Sequence, residues 1–545
     1  MLGTMMQFPL TLTHILERAE RLFGSVPIVS RLADKSIHRS NYGEVCRRAR
    51  ALAAALTAAG LDRGDRIATL MWNHVSHLEA YLGIPTGGFV LHTLNLRLHP
   101  EELTYIIQHA CDRVLLVDEC LLPLYEKLRG RIGVQRVVVV PSAGRAVPPG
   151  YESYESFLSS GSADYPLPAL DENEAAAMCY TSGTTGVPKG VMYTHRSIVL
   201  HSFCAALPDA FNLSQADCIL PIVPLFHANA WGTPFAAAMV GARQVLPGPN
   251  LDAVSLLDLL ELEKVTCSGA VPTVWMAILE LLDQNPGRWK LQPRLRVLCG
   301  GSAVPESMIR AFDRHGIEIR QAWGMTEMSP LGTVCCVKSG LSDEPEAARW
   351  AIRAKQGFAT PFVELRAMVG EREVAWDGET LGELQVRGPW IASSYYNLPD
   401  QQGRWTDDGW FRTGDIVNID SEGYIKIADR AKDLIKSGGE WISSVDLENA
   451  LMGHPSVREA AVIALPHPKW VERPLAAVVL KEGRTATAEE LRAHLAQRFN
   501  RWQMPDSIVF VSEIPRTSVG KFQKSRLREM FAGWQWTNAA EAPSR

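Results

Sequence analysis

The sequence has no uninterrupted apolar run long enough to cross a membrane. The longest apolar stretch, Ala228 to Ala242, is broken by Asn229, Thr233 and Pro234, whereas a spanning helix needs about 18 apolar residues in a row. Met1 to Leu10 also lack the basic start and apolar centre of a secretory signal peptide. We therefore expect no membrane span and a cytoplasmic location.

The cysteines lack the spacing of a metal site or a disulfide framework. The ten of them form no Cys-x-x-Cys pair, and only Cys335 and Cys336 are adjacent. Scattered cysteines of this kind are typical of reduced thiols in a cytosolic protein. The formal net charge is −5 and no long basic run occurs, so the sequence does not indicate nucleic-acid binding.

The composition is that of a globular enzyme with more than one domain. The chain has 545 residues, of which 46% are hydrophobic and 21% charged, and this length exceeds what one ordinary core holds. Helix-period and strand-like segments alternate, which predicts α/β layers with largely parallel strands. Helices are expected over 12–23, 42–59, 77–82, 101–111 and 254–263, and strands over 66–72, 89–94, 113–117, 175–180, 219–225, 237–240, 244–246, 266–271, 296–299 and 317–322, with a loop-rich stretch over 141–168.

In the last third of the chain the predicted elements change from alternating helices and strands to short strands and turns. Short strands over 363–369, 382–388 and 423–428 indicate a β-rich subdomain. Beyond it, a helix over 445–451, strands over 460–465 and 475–480, and a further helix that begins at Thr487, with Glu490 placed for a capping box, indicate a compact α+β unit. We predict a large N-terminal domain, residues 1–429, of layered α/β subdomains and the β-rich subdomain, followed by a small mobile C-terminal domain, residues 430–545.

A loop rich in glycine and hydroxyl residues follows the strand predicted over 175–180. Such a loop can direct backbone N–H groups, hydroxyls and a lysine at one polyphosphate. Its spacing is not that of a Walker A loop, because no Gly-Lys-Ser/Thr follows the first glycine at the required distance. A surface turn is the alternative for this loop alone. Its candidate ligands are Thr181, Ser182, Gly183, Thr184, Thr185, Gly186 and Lys189.

Further motifs follow this loop in order. They lie at 323–327 (Trp-Gly-Met-Thr-Glu), 408–415 (Asp-Gly-Trp-Phe-Arg-Thr-Gly-Asp), 429–433 (Asp-Arg-Ala-Lys-Asp) and 515–521 (Pro-Arg-Thr-Ser-Val-Gly-Lys). Together they resemble the adenylate-forming superfamily of acyl-CoA synthetases, luciferases and peptide-synthetase adenylation domains, over about residues 12–530. Within it the chain resembles bacterial medium-chain fatty acid–CoA ligases and 3-methylmercaptopropionate–CoA ligases. The resemblance implies that a carboxylate attacks the α-phosphate of ATP, and that the thiol of coenzyme A then displaces AMP.

The resemblance implies the following residues for the first step. Lys521 corresponds to the adenylation lysine, whose ammonium offsets charge between the incoming carboxylate and the α-phosphate. Thr326 corresponds to the hydroxyl on the α-phosphate, and Glu327 and Thr184 to the ligands of Mg²⁺. The loop from Thr181 to Lys189 corresponds to the grip on the β- and γ-phosphates.

The remaining nucleotide contacts are also carried over from the resemblance. Asp415 corresponds to the carboxylate that binds the ribose hydroxyls, and Arg430 to an arginine that reaches the ribose and phosphates. The motif at 429–433 begins Asp-Arg where many relatives have Gly-Arg, a departure that bears on the stiffness of the hinge. The wall around the base and phosphates comprises Gly301, Ser302, Ala303, Gln321, Ala322, Trp323, Gly324 and Met325.

The second step involves a different part of the C-terminal unit. Lys432 corresponds to the hinge residue of the family, and Lys436 to a lysine that in relatives acts in the second half-reaction. The segment beside the pantetheine tunnel comprises Ser437, Gly438, Gly439, Glu440 and Trp441. We expect Lys521 to serve the first step and, after rotation about Lys432, the segment 436–441 to serve the second.

Residues around 226–235 bear on the acid. His227 occupies the position where peptide-synthetase domains have the aspartate that holds an α-amino group, so an amino-acid substrate is disfavoured. An alternative role for His227 is a satisfied core histidine. Trp231 corresponds to a tryptophan that gates the acyl tunnel in fatty-acid ligases, and its apolar neighbours suit an alkyl chain.

The leading hypothesis is therefore a medium- to long-chain fatty acid–CoA ligase that uses ATP, Mg²⁺ and coenzyme A. Alternatives within the fold are a ligase for 3-methylmercaptopropionate or another short or aryl acid, an acyl-AMP ligase that loads a carrier protein, and a luciferase-like enzyme. A non-catalytic nucleotide sensor is the alternative from another class, and Lys521, Glu327 and Asp415 together argue against it. A homodimer is expected only by analogy with relatives.

Overall fold

The computed structural model describes residues 3–141, 145–181, 187–398, 403–437, 440–517 and 520–536. The described residues also contain four single-turn 3₁₀ helices, Glu119–Leu121, Thr326–Met328, Ser339–Leu341 and Arg501–Gln503. As far as residue 181, the elements are α1 (Leu12–Phe23), β1 (Pro27–Arg31), β2 (Ile37–Asn41), α2 (Tyr42–Ala58), β3 (Arg66–Leu70), α3 (Val75–Thr86), β4 (Val90–Thr93), α4 (Pro100–Ala110), β5 (Val114–Asp118), α5 (Leu122–Tyr125), β6 (Arg136–Val140), β7 (Glu152–Ser153), α6 (Tyr154–Ser159) and β8 (Ala175–Tyr180).

The elements of the middle of the chain alternate in the same way. They are β9 (Gly190–Thr194), α7 (His195–Ala206), β10 (Cys218–Pro221), the left-handed turn α8 (Ala228–Trp231), α9 (Thr233–Val240), β11 (Arg243–Leu246), α10 (Ala253–Leu262), β12 (Cys267–Ala270), α11 (Pro272–Gln284), β13 (Arg296–Gly300), α12 (Glu306–Arg314), β14 (Glu318–Gly324), β15 (Leu331–Val334), α13 (Glu346–Arg353) and β16 (Phe358–Ala359).

The last part of the chain is richer in strands. Its elements are β17 (Glu364–Val369), β18 (Arg372–Glu373), β19 (Gly382–Arg387), β20 (Phe411–Ile419), β21 (Ile425–Arg430), β22 (Ile435–Ser437), β23 (Glu440–Ile442), α14 (Ser444–Met452), β24 (Val457–His467), β25 (Val471–Leu480), α15 (Ala488–Leu495), β26 (Ser507–Phe510) and α16 (Lys524–Met530).

Two large sheets carry most of the chain. One has the order β7-β6-β5-β3-β4-β8-β9 and ends in the antiparallel pair β8–β9, which flanks the glycine-rich loop. The other has the order β16-β15-β14-β13-β12-β10-β11-β1-β2, parallel from β14 to β1 and antiparallel at both edges. The α/β prediction is confirmed. The carboxyl end of β13 leads into the segment Gly301, Ser302 and Ala303, and that of β14 leads into the motif at 323–327.

The two smaller sheets lie in the last third of the chain, where the sequence predicts short strands and a compact α+β unit. An antiparallel sheet of order β18-β17-β19-β20-β21 is the β-rich subdomain. The C-terminal sheet has the order β23-β22-β25-β24, with β26 parallel to β25. Strand β21 extends through Arg430 and the next sheet begins at Ile435, so the chain passes from one sheet to the other within residues 431–434.

The main core lies where helices α1, α2, α3 and α9 pack against the sheet of β3, β4, β5 and β8. In α1, Leu12, Ile15, Leu16 and Ala19 are buried, which is the helical spacing that the sequence predicts. The largest fully buried side chains of this cluster include Tyr42, Tyr81 and Phe235. In the residues described, no helix is long and apolar enough to cross a membrane.

One local prediction was wrong. Residues 237–240 were expected as a strand but lie in helix α9, which has Pro234 in its first turn and a run of alanines, both compatible with a helix. There tertiary packing decided a locally ambiguous apolar pattern. The described part of 141–168 is mostly loop, as expected, and contains the two-residue strand β7 and the short helix α6, whose Tyr154, Phe157 and Leu158 are buried.

Candidate active site

A cavity of about 400 Å³ lies between the carboxyl ends of β13 and β14, in the nine-stranded sheet, and the C-terminal unit. Its walls come from both parts of the chain: the ends of β13 and β14, the segment around residue 415, and the loop before α16. Ligands of open α/β sheets bind outside the carboxyl ends of strands. Of the predicted residues it is lined by Thr181, Lys189, His227, Trp231, Gly301, Ser302, Ala303, Ala322, Trp323, Gly324, Met325, Thr326, Glu327, Asp415, Arg430, Lys432 and Lys521.

Lys521 enters the cavity from the C-terminal unit. Its backbone is held by Thr517: Thr517 N donates to the Lys521 carbonyl at 2.7 Å, and Lys521 N donates to Thr517 Oγ1 at 3.2 Å. A Cβ on Gly301 would lie 3.3 Å from Lys521 Cε, so the lysine reaches the segment after β13. Burial, and then the positive charge of Arg430, lower the pKa of Lys521 to about 8.

Asp415 is the anionic centre on the nucleotide side. It is buried in β20, where Trp323 Nε1 donates to Oδ2 at 2.9 Å and Arg430 Nε lies 2.6 Å from Oδ1. Arg430 is its partner across the β20–β21 pairing, and the carboxylate raises the pKa of Arg430. Each carboxylate oxygen has a second lone pair, so both can still accept a ribose hydroxyl.

Glu327 is a buried carboxylate on the single-turn helix Thr326–Met328 after β14. Tyr395 OH donates to its Oε1 at 2.6 Å, and Tyr193 OH donates to the carbonyl of Thr326 at 2.7 Å. The described residues contain no group of three or more His, Cys, Asp or Glu that could hold a metal. One carboxylate that lines the cavity nevertheless suits Mg²⁺, which is bound by one or two carboxylates together with substrate phosphates.

The glycine-rich loop is described at its two ends. Thr181 N donates to the Lys189 carbonyl at 2.9 Å and Lys189 N donates to Thr181 Oγ1 at 3.2 Å, which closes the neck of the β8–β9 pair. Thr181 and Lys189 both line the cavity. The predicted ligands Ser182, Gly183, Thr184, Thr185 and Gly186 lie outside the described residues.

The wall that the sequence assigns to the base is largely in the cavity. Gly301, with φ of 89°, makes the turn after β13, and Ser302 and Ala303 follow it along the lining. Gln321 differs from the other residues predicted for this wall because it does not line the cavity. Its Oε1 accepts from Val304 N at 2.7 Å and its Nε2 donates to the Lys355 carbonyl at 2.6 Å, so it supports this wall from behind.

His227 precedes, and Trp231 ends, a left-handed turn that also lines the cavity. Ala228, Asn229, Ala230 and Trp231 have φ values between 42° and 58°, a region that L-residues rarely occupy in succession. The indole of Trp231 lies against backbone that lacks side chains: a Cβ on Gly269 or Gly300 would be 3.6 or 3.5 Å from it. Burial, and then Lys521, lower the pKa of His227 to about 3, so this imidazole is neutral.

The segment predicted for the second step is separated from the cavity. Lys432 lines it, but Lys436, Ser437, Glu440 and Trp441 do not. Lys436 Nζ lies 4.9 Å from the Trp441 ring centroid, and Ser437 Oγ accepts a hydrogen bond from the buried Arg473 at 2.9 Å. Gly438 and Gly439 lie outside the described residues.

Several groups at the site stand in none of the sequence motifs. Tyr395 lies 68 residues from Glu327, its hydrogen-bond partner, and no motif includes it. Glu448 and Lys524 pair at 2.8 Å on the C-terminal side of the cavity, and burial raises the pKa of Glu448 to about 7. The position of Lys524, three residues after Lys521, was the available signal for this pair.

A family model described as AMP-binding enzyme matches residues 17–396, and one described as AMP-binding enzyme C-terminal domain matches residues 446–521. The chain belongs to the AMP-binding enzyme family. Within the family, the chain is 52% identical to a long-chain-fatty-acid–CoA ligase of Thermus thermophilus, over 98% of this chain and 97% of that protein. It is 45% identical to a medium-chain-fatty-acid–CoA ligase of Ectopseudomonas oleovorans (97% and 98% covered) and 44% identical to a 3-methylmercaptopropionyl-CoA ligase of Ruegeria pomeroyi (97% and 99% covered).

A solved structure of the family has the same architecture over nearly the whole chain. The anthranilate CoA ligase AuaEII in complex with anthranoyl-AMP superposes with a TM-score of 0.86 at 25% identity, covering 97% of this chain and 99% of that one. The family assignment and the fold class predicted from the motifs are both confirmed by these similarities.

Proposed function

We propose that this enzyme joins a medium- to long-chain fatty acid to coenzyme A in an ATP-dependent reaction, through an acyl-adenylate, with release of pyrophosphate and AMP. The observation that carries the proposal is the meeting of Lys521 with Asp415 and Glu327 in one cavity, from two parts of the chain. Adenylation requires a cation beside the reacting anions, a hydrogen-bond acceptor for the ribose hydroxyls and a carboxylate that can bind a metal ion. The fatty-acid ligases among the relatives support the substrate class.

In the first half-reaction a carboxylate oxygen of the acid attacks the α-phosphorus, and the bond to the bridging oxygen of pyrophosphate breaks. We assign to the Lys521 ammonium the compensation of charge between the two anions as they approach. The Thr326 hydroxyl is assigned to the α-phosphate. Mg²⁺, held by Glu327 and Thr184, would stabilise the negative charge that accumulates on the departing pyrophosphate.

The remaining residues orient the nucleotide. We assign the ribose hydroxyls to Asp415, which Arg430 and Trp323 hold in place. The base is assigned to the wall of Gly301, Ser302 and Ala303, where small side chains permit a flat ring to approach the backbone. The ends of the glycine-rich loop, Thr181 and Lys189, are assigned to the β- and γ-phosphates.

In the second half-reaction the sulfur of coenzyme A attacks the acyl carbon, and the bond to the AMP oxygen breaks. We propose that residues 430–545 rotate about Lys432 against residues 1–429 for this step, so that Lys436 and the segment 437–441 replace Lys521 at the cavity. Two observations support the rotation: Lys521 lines the cavity, and Lys436 and the described residues of its segment do not.

The residues around His227 and Trp231, where the acid substrate is proposed to bind, favour an uncharged alkyl chain. A neutral His227 offers no anionic partner to an ammonium, whose burial without a counter-charge is costly. Trp231 packs in an apolar cluster with Phe211, Leu298 and Leu331, and burial of a chain there gains about 0.8 kcal/mol per CH₂. A 3-methylmercaptopropionate ligase is the second candidate, because a relative with that activity is nearly as similar as the medium-chain ligase.

Pyrophosphate release tests the proposal, with a panel of straight-chain, sulfur-containing and aryl acids in the presence and absence of coenzyme A. Acid-dependent pyrophosphate and a thioester product are expected, with the best kcat/KM for medium or long alkyl chains. A preference for 3-methylmercaptopropionate would select the second candidate. Pyrophosphate without thioester would indicate an acyl-AMP ligase, and no acid-dependent pyrophosphate would refute the ligase function.

Location and assembly complete the proposal. None of the ten cysteines, all of which lie in the described residues, forms a disulfide, which supports a reducing compartment such as the cytoplasm. A homodimer is expected by analogy with the family, and light scattering after size-exclusion chromatography tests it.

A further inference from the structure

We propose that Tyr395 is a positioning residue for the pyrophosphate side of the site, where its hydroxyl holds the Glu327 carboxylate and its ring supports the Lys189 ammonium. The inference rests on the proposed adenylation function. It concerns a residue outside all of the motifs, on the segment 389–398 between β19 and β20, which we call the strap.

The hydroxyl of Tyr395 determines how the Glu327 carboxylate is presented. The O–H donates to Oε1 at 2.6 Å, and both side chains are buried, with 3% and 6% exposure. Within the described residues, Oε2 accepts no hydrogen bond, and Glu327 lines the cavity. A carboxylate that is fixed at one oxygen and open at the other is oriented to give Oε2 to a hard cation, as the outer partners of metal ligands commonly do.

The ring of Tyr395 contacts the other side of the phosphate site. Lys189 Nζ lies 4.9 Å from the ring centroid, within the range of a cation–π interaction. Lys189 ends the glycine-rich loop, and a lysine is a flexible point charge unless something restrains it. The Tyr395 side chain therefore contacts both the Glu327 carboxylate, which is proposed to bind the metal, and the Lys189 ammonium, which is proposed to bind phosphate.

The strap itself is tied to both of the segments that Tyr395 serves. Ala392 N donates to the Glu327 carbonyl at 2.7 Å, and Tyr396 N donates to the Gly190 carbonyl at 2.9 Å, directly after Lys189. The Tyr395 ring packs edge-on against Trp405 at 5.2 Å, and Trp405 Nε1 donates to the Ala392 carbonyl at 2.7 Å. The tyrosine is thus held by its backbone and its ring, and it has little freedom to follow a displaced Glu327 or Lys189.

This arrangement acts on one half-reaction. Pyrophosphate is present only while the adenylate forms, and the thiol step that follows uses neither the β- nor the γ-phosphate. A change at Tyr395 is therefore expected to reduce adenylation and its metal dependence, and to leave the conversion of supplied acyl-adenylate to thioester as in the wild type.

Three variants separate the two roles. Tyr395→Phe removes the hydroxyl and keeps the ring, and Tyr395→Leu removes both. Tyr396→Phe is the matched control, because it makes the same chemical change at the next residue, whose ring packs against His109 at 5.7 Å. Calorimetry measures the binding of α,β-methylene ATP, which cannot release pyrophosphate, as Mg²⁺ is varied. Pyrophosphate release and thioester formation from supplied acyl-adenylate are measured in parallel.

For Tyr395→Phe we expect about 10- to 100-fold more Mg²⁺ to be required for half-maximal tightening of the nucleotide analogue, with metal-free binding unchanged. Tyr395→Leu is expected to weaken metal-free binding as well, by about threefold or more, because Lys189 loses the ring. Tyr396→Phe should behave as the wild type. Unimpaired thioester formation from acyl-adenylate shows that the variants are folded.

A wild-type Mg²⁺ response in Tyr395→Phe would overturn the inference, as would the same shift in Tyr396→Phe or equal loss of both half-reactions. Failure of the proposed function gives a different result. In that case no acid elicits pyrophosphate from the wild type, while the calorimetric effect of Tyr395→Phe on Mg²⁺-dependent binding of the analogue still decides the role of the tyrosine.

Discussion

The lowered pKa of Lys521 predicts that adenylation weakens at alkaline pH. In the proposed adenylation step Lys521 acts as the ammonium, because a neutral amine cannot offset the charge of a carboxylate and a phosphate. Burial and Arg430 bring the pKa to about 8, so a group of this kind is about 90% protonated at pH 7 and about 10% at pH 9. We expect kcat/KM for adenylation to fall about tenfold from pH 7 to pH 9.

Two measurements distinguish this effect from others. The value of kcat/KM reports the free enzyme, whereas kcat reports the enzyme with substrates bound; bound phosphates and carboxylate favour the ammonium, so the alkaline fall of kcat should move to higher pH. Loss of folding does not explain the fall. Since the pKa of Lys521 is lower in the folded chain than the 10.5 of a free lysine, the unfolded chain binds more protons between pH 8 and 10.5, and this group makes stability rise with pH there.

The assay is pyrophosphate release without coenzyme A, because a thiol with a pKa of about 8.5 would titrate in the same range. Lys521→Arg keeps a cation throughout this range and should give a lower rate with no alkaline fall. Lys521→Ala should lose adenylation and still convert supplied acyl-adenylate to thioester. A wild-type profile that is flat from pH 7 to 10, or an equal alkaline fall in Lys521→Arg, would refute the reasoning.

Four further predictions concern single side chains. Trp231→Ala should change the profile of accepted acid lengths, measured as kcat/KM over the panel, while KM for ATP stays within about threefold; an unchanged acid profile would remove the gate assignment. Asp415→Asn should lower kcat/KM for ATP by about 10- to 100-fold, from the loss of bonds to a charged group, with KM for the acid unaffected. Ala230→Gly should raise the free energy of unfolding by up to about 1 kcal/mol in denaturant titration, because glycine adopts the left-handed region without strain; a loss of stability would contradict this. Thr487→Ala should lower the free energy of unfolding by about 1 kcal/mol, because the capping box is lost, and adenylation should be unaltered.

The elements that were predictable from sequence are those that local chemistry decides. Helix α1 has the predicted bounds because its apolar residues recur at helical spacing. The capping box of α15 forms as predicted, with Thr487 Oγ1 and Glu490 exchanging hydrogen bonds with the backbone. Residues 237–240 were not predictable in this way, because four apolar residues fit a strand and a helix equally well and only the packing of α9 decides between them.

The site divides in a similar manner. Thr326, Glu327, Asp415 and Lys521 stand in motifs, and the family resemblance carried by those motifs implies the shared site that the cavity forms. The left-handed turn before Gly232 could not be inferred, because no local preference of two alanines and a tryptophan favours a positive φ. It exists because the surrounding core holds it: Tyr81 OH donates to Asn229 Oδ1 at 3.3 Å, and Thr233 Oγ1 donates to the Ala230 carbonyl at 2.7 Å.

The contacts around the hinge indicate which of them a rotation must break. The Lys436 segment is fixed inside its own unit, since Ser437 bonds Arg473 and β22 pairs with β25, so these contacts can move as one body. Asp429 is different because it lies in β21 while its Oδ2 accepts a hydrogen bond from Ser444 N, at the start of α14, at 3.2 Å. In the proposed cycle that bond opens when the C-terminal unit turns, and Lys521 leaves the cavity with it. In that proposed cycle Lys521 and Lys436 alternate at the cavity, so that each half-reaction has its own arrangement of the C-terminal unit.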